Sequence, residues 1–140
     1  HFMQLIYESQ RLLTPCIDAH DGILLKVEGD SLLIIFRNIG KAIECADAMQ
    51  RVCEAYSVGR EAEERIGLCV GLGFGRLLRI GDRDVYGSEV NAAAKLGEDI
   101  ARAGEVLVTD AVRVAAVGAY AFEPIAVAPP GTSAAFRMLR

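Results

Sequence analysis

Five polar side chains in this 140-residue chain could do chemistry: Lys26, Asp30, Asp84, Asn91 and Lys95. Lys26 interrupts an apolar stretch. An ammonium there is costly to bury unless it is paired, reaches a cleft, or snorkels to water from an edge strand. Asp30 follows Gly29 at a predicted hairpin tip, where Gly-Asp is ordinary turn chemistry. A carboxylate fixed at such a tip, with a second carboxylate nearby, would also suit Mg²⁺. Asp84 either caps a helix beginning near Ser88 or accepts from the amino group of a nucleobase. A lysine donor paired with an aspartate acceptor matches the edge of adenine and suits guanine poorly. Asn91 and Lys95 stand four residues apart and project from one helix face. An amide beside a cation near a helix start suits ribose or phosphate, and the same pair also describes a solvated face.

The elements that must position these groups follow from periodicity. Residues 2–20 carry a helical stripe that includes Leu5, Leu12, Leu13 and Ile17, with Pro15 expected to bend or restart the helix. Two apolar runs within 22–36 flank Glu28-Gly29-Asp30 and predict a tight β-hairpin of strands buried on both faces. Residues 40–57 predict the clearest amphipathic helix, with Ile43, Ala46, Met49 and Cys53 on its apolar face. From Ile66 to Gly75 bulky residues alternate with Gly67, Gly71, Gly73 and Gly75, as in a strand with one bulky and one bare face. Gly81-Asp82 predicts a turn. Residues 88–102 predict a helix capped by Gly104, 105–109 a strand, and 110–117 a short helix. Strands near 119–127 and 133–139 are joined through Pro129, Pro130 and Gly131. This order implies an α+β domain with helices packed on a mostly antiparallel sheet.

Composition narrows the function. The net charge is −4 and Lys and Arg are scattered, which argues against nucleic-acid binding and against an anionic membrane patch. Half the chain is apolar (52%), enough for a core without metal or disulfide staples. The four cysteines, Cys16, Cys45, Cys53 and Cys69, form no zinc-type spacing and read mostly as buried, reduced thiols. With no leader and no apolar run of transmembrane length, a cytoplasmic location is expected. The abrupt start inside a helical pattern is expected of a piece of a longer protein.

Three segments, taken in order, resemble class III adenylate/guanylate cyclase catalytic domains. They are 25–36 with Lys26-x-x-Gly29-Asp30, the glycine-alternating 65–75, and 84–95 with Asp84-x-x-Gly87-x-x-Val90-Asn91-x-Ala93. The tail 104–110 is also similar. The resemblance implies one nucleotide cyclase domain over residues 1–140, with a ferredoxin-like core that dimerises head to tail and nucleotide sites at the interface. It implies ATP rather than GTP as substrate, Mg²⁺ or Mn²⁺ as cofactor, and an attached regulatory domain. Asp30 then stands as a metal ligand and Lys26 and Asp84 as adenine selectors. Asn91 orients the ribose, and Lys95 neutralises charge on the α-phosphate. The implied reaction is two-metal displacement, in which the ribose 3′-hydroxyl attacks the α-phosphorus and pyrophosphate leaves.

Three departures weaken the resemblance. The family's first strand, which carries a second metal aspartate, has no counterpart in this sequence, so the domain is expected to be N-terminally incomplete. Lys95 stands where an Arg is usual, keeping the charge but losing the planar fork. Ala128 stands where many members have a triphosphate-binding Lys. Two functions therefore compete: an active homodimeric adenylate cyclase, and a weak or inactive homology domain that binds nucleotide or dimerises to regulate an attached module.

Overall fold

A computed structural model describes residues 2–116, 118 and 120–140. The chain forms two compact units, His1–Leu68 and Cys69–Arg140.

The first unit is two helices on a hairpin. Helix α1 runs unbroken over Phe2–Ala19 with Pro15 inside it, so the helix does not restart there. Pro15 sits on the solvent side, where water can reach the carbonyl that its missing N–H leaves free. Strands β1 (Ile23–Glu28) and β2 (Ser31–Ile35) form the predicted hairpin. Gly29 takes φ 59 at the first turn position, the glycine-first pattern of a II′-type turn. The register shifts between Leu24 and Lys26, leaving Leu25 as a bulge. Leu25 is buried, but Leu24 and Val27 remain 39% and 37% exposed, so the hairpin is not buried on both faces as expected.

Helix α2 (Ile39–Ser57) starts at Asn38, whose side chain accepts from the Lys41 amide at 3.1 Å. Leu13 and Ile17 of α1 meet Cys45, Met49 and Cys53 of α2, and Leu32, Ile34 and Phe36 of the hairpin side pack against them. Buried Gln50 donates to the Leu68 carbonyl at 2.8 Å, taking an acceptor that the expected strand 66–75 would have used for its ladder.

The second unit holds a sheet of four strands, β3 (Val70–Leu72), β6 (Val106–Thr109), β7 (Ala121–Pro124) and β8 (Ala135–Leu139). Their spatial order is β3-β6-β8-β7. β3 runs parallel to β6, and the other two ladders are antiparallel. Only three residues of the predicted strand 66–75 therefore enter a ladder. β6 forms the floor of the core, with Val106, Leu107, Val108 and Thr109 all at most 1% exposed.

A second hairpin, β4 (Leu78–Ile80) with β5 (Asp84–Tyr86), surrounds the turn predicted at Gly81 and Asp82. Helix α3 (Ser88–Lys95) passes into a π-helical turn, Leu96–Ile100, so the predicted helix to residue 102 stops early. Gly104 is no cap but sits within a turn in which the Glu105 amide bonds the Arg102 carbonyl at 3.0 Å. Helix α4 (Asp110–Ala115) starts at Thr109, whose hydroxyl accepts from the Val112 amide. The ends expected at 117 and 119 for the last helix and the strand after it lie outside the described residues. Among the described residues no helix is long and apolar enough to cross a membrane. Of the cysteines only Cys45 and Cys53 are buried; Cys16 is intermediate and Cys69 exposed.

Candidate functional site

In the second unit, packing of α3 against β3 decides what the helix presents. A Cβ added at Gly71 would fall 2.1 Å from the Ala93 carbonyl oxygen, and one at Gly73 would fall 2.4 Å from that of Glu89. Glycine is needed because helix backbone lies directly on strand backbone. The bare face read from the sequence is therefore the seat of α3. Ala92 and Leu96 are fully buried on the inward side of the helix, while Asn91, Ala94 and Lys95 face outward and are exposed.

Asn91 and Lys95 thus share one exposed helix face, as their spacing requires. Lys95 is ion-paired with Asp99 at 2.8 Å, and that hydrogen bond and charge raise the lysine above its ordinary 10.5. Asp84 opens β5 directly across from Ile80. It does not cap α3: the N-cap position is Gly87, with no side-chain cap bond. On the β4–β5 hairpin the cross-strand pairing places Asp84, Leu78, Ile80 and Tyr86 on one face. Leu78, Ile80 and Tyr86 are 61%, 55% and 54% exposed.

In the first unit Lys26 lies across from Leu33 and pairs with Glu28 at 3.1 Å, two residues along the same strand face. Its cost of partial burial is met by that pair rather than by snorkelling alone. Asp30 stands exposed at the hairpin tip. A carboxylate oxygen is a suitable hard donor for Mg²⁺ or Mn²⁺, which is commonly held by one or two carboxylates together with substrate phosphates. Among the described residues no group of three or more His, Cys, Asp or Glu side chains is placed to hold a metal ion. Asp30 thus offers one hard-oxygen donor of the kind such an ion accepts, without a cluster of further carboxylates, histidines or cysteines beside it among the described residues. Ala128 is exposed in the loop between β7 and β8, with no cation at its own position.

Three partners escaped the sequence reading: Glu28, Asp99 and Glu89. Asp99 carried a usable signal, since it stands four residues beyond Lys95 in a helical run. Glu89 carried none. Its carboxylate accepts from the Phe74 amide at 2.9 Å and the Thr109 hydroxyl at 2.6 Å, residues 15 and 20 positions away.

The β3-β6-β8-β7 sheet and its helices have clear counterparts among solved structures. The adenylate/guanylate cyclase/hydrolase from Silicibacter pomeroyi superposes with a TM-score of 0.73 over 94% of this chain and 80% of that one, at 23% identity. The non-canonical dimeric guanylyl cyclase domain of the RhoGC fusion protein from Blastocladiella emersonii superposes with a TM-score of 0.78 over 99% of this chain and 81% of that one, at 14% identity. The chain has the nucleotide cyclase fold. The α+β class and packed helices expected from the sequence agree with it.

In sequence this cyclase-fold chain is 32% identical over 103 residues to the protein named "Putative adenylate cyclase 3" of Rhizobium meliloti (strain 1021), covering 74% of the chain and 17% of that protein. It is 31% identical over 112 residues to the serine/threonine-protein kinase pkn2 of Myxococcus xanthus, covering 80% of the chain and 13% of that protein. The cyclase-fold chain thus spans less than a fifth of the length of either curated relative. No protein-family model matches it.

Proposed function

We propose that this domain converts ATP to cyclic AMP and pyrophosphate as a head-to-tail homodimer, in signal transduction. The observation that carries the reading is the β5–α3 segment. It places Asp84 on an exposed hairpin face and then Asn91 and Lys95 together on the exposed face of a helix clamped from behind.

In this reading the Asn91 amide holds the ribose so that its 3′-oxygen faces the α-phosphorus. A bond forms between those atoms, the bond from the α-phosphorus to the bridging oxygen breaks, and pyrophosphate leaves with that oxygen. The hydroxyl proton passes to solvent. The Lys95 ammonium balances charge growing on the α-phosphate, where a fixed cation acts most strongly in a site closed to water. Lys26 donates to a ring nitrogen of adenine and Asp84 accepts from its amino group. Asp30 supplies one ligand for Mg²⁺ or Mn²⁺, which contributes further charge neutralisation at the phosphates.

The partner in this reading is a second copy. The apolar face of Leu78, Ile80 and Tyr86 is contiguous with Asp84. A copy covering that patch would also close over the base-selecting carboxylate.

A second reading, a homology domain that binds nucleotide without turnover and regulates an attached module, draws on the Lys95–Asp99 pair, which occupies the cation that catalysis would need. The two readings separate on cyclic AMP formation from ATP with Mn²⁺ by the natural protein and its Asn91→Ala variant. Product from the wild type, reduced at least about 100-fold in the variant, supports catalysis. A folded dimer that binds ATP and forms no product supports the second reading.

A further inference from the structure

We infer that Glu89 is a positioning residue that fixes the roll of α3 and so sets where Asn91 and Lys95 point. The inference rests on the reading of α3 as the nucleotide-facing helix.

Two kinds of contact hold α3 against its strands. On the inner side, the close approach of Gly71 and Gly73 to the carbonyls of Ala93 and Glu89 fixes how near the helix comes to β3. Such contacts, and the close approach of Gly131 to the Ser88 carbonyl, are non-directional and set distance more than orientation. The Glu89 carboxylate adds direction. Its Oε1 accepts from the Phe74 N–H at 2.9 Å, just beyond β3, and from the Thr109 hydroxyl at 2.6 Å, the last residue of β6. β3 and β6 are neighbouring parallel strands, so both donors come from their C-terminal ends.

These bonds are charge-assisted and directional. Two donors from two strands, meeting at one oxygen, define an orientation that a single donor would not. Thr109 is fully buried and accepts from the Val112 amide at 3.3 Å, so its hydroxyl also ties α3 to the start of α4. Asn91 projects roughly 200° around the helix from Glu89 at about 100° per residue. A roll released at Glu89 is therefore carried directly to Asn91 and Lys95.

A carboxylate is a costly choice for a half-buried helix position that an apolar residue could fill, because its desolvation must be offset by donors. Held by two, it gives direction as well as attachment. A displacement near 1 Å at groups acting on a transition state costs roughly 100-fold in rate.

The test compares Glu89→Leu, Glu89→Gln, Thr109→Val and Thr109→Ser in the natural protein, with steady-state kinetics of cyclic AMP formation and the binding of a fluorescent N-methylanthraniloyl-ATP. Glu89→Leu should lower kcat by about 100-fold with KM changed less than about threefold, since the base contacts lie on other elements. Glu89→Gln keeps the accepting oxygen and should recover most of kcat, and Thr109→Ser should do the same relative to Thr109→Val. If Glu89→Leu does not fold, the Thr109 pair carries the comparison. A folded Glu89→Leu that keeps kcat within about threefold of an active wild type, or loses only thermal stability, overturns the inference while leaving the cyclase reading intact. If the wild type binds the analogue without turnover, a changed emission of the ribose-attached fluorophore in Glu89→Leu, at an affinity within about threefold of wild type, supports positioning, and an unchanged emission overturns it. A wild type that neither turns over nor binds the analogue removes both.

Discussion

Lys95 and Asp99 form an ion pair at 2.8 Å across the junction between α3 and the π-helical turn that follows it. π-turns inside helices are frequent at functional sites. The pair sets a quantitative expectation. Both groups are about half exposed, so the attraction is screened by solvent and weak. Asp99→Ala frees the ammonium and should raise the cyclase rate by up to about fivefold. Lys95→Ala should lower it by about 100-fold, the loss expected on removing one donor to a developing oxyanion. Steady-state rates at saturating ATP decide the matter, and a slower Asp99→Ala enzyme would count against Lys95 as the charge-balancing group.

The seat of α3 predicts a stability effect free of any functional assumption. Gly73→Ala places a methyl group 2.4 Å from a backbone carbonyl oxygen, so either the helix or the strand must shift. Overpacking of this kind costs about 1–3 kcal/mol or more. Urea unfolding should show a lower midpoint at an unchanged slope. An unchanged midpoint would mean that α3 does not rest on β3 as described.

Much of this was legible in the sequence. The period of α2, the Gly29-centred hairpin and the bare glycine face each follow from local rules, and each appears in the fold. The β4–β5 hairpin did not announce itself as two strands. Its strands are three residues long, and Leu78, Ile80 and Tyr86 face outward, so neither length nor burial alternation marks them. The early end of α3 also escaped, because Gly97 meets Gly71 through space rather than through sequence. The same limit hid Glu89: its donors come from two strands whose adjacency exists only after folding. The five chemistry-bearing residues were legible as types and spacings. Two of their partners, Asp99 and Glu28, went unread although they lie within one turn or one strand step, where spacing alone could have found them.

The buried thiols predict a pH dependence. Burial, with a smaller contribution from the Cys16 thiol, pushes Cys45 and Cys53 up to about 11 from an ordinary 9.0. The folded state therefore holds these protons more tightly than the unfolded chain. Stability from this source is intact below pH 9 and falls as the pH rises toward 11, by about 2–3 kcal/mol per thiol at about 1.4 kcal/mol per pKa unit. Urea midpoints at pH 8 and pH 10.5 should differ more for the wild type than for Cys45→Ala/Cys53→Ala, whose baseline is lower and whose slope is flatter. Equal slopes would contradict the assignment.

Base selection is open to a direct exchange. Lys26→Glu with Asp84→Cys replaces the donor and acceptor proposed for adenine and should move the preference from ATP toward GTP. The measured quantity is the ratio of kcat/KM for the two nucleotides. A preference that does not move would show that neither side chain reads the base.

Metal-dependent cyclisation is tested most directly by cyclic AMP formation from ATP with Mn²⁺ by the natural protein. Wild-type protein should form product only with the metal present, and Asp30→Ala should form none while remaining folded and dimeric. Undiminished turnover in Asp30→Ala, or a folded wild-type dimer that yields no product with Mn²⁺, would contradict it.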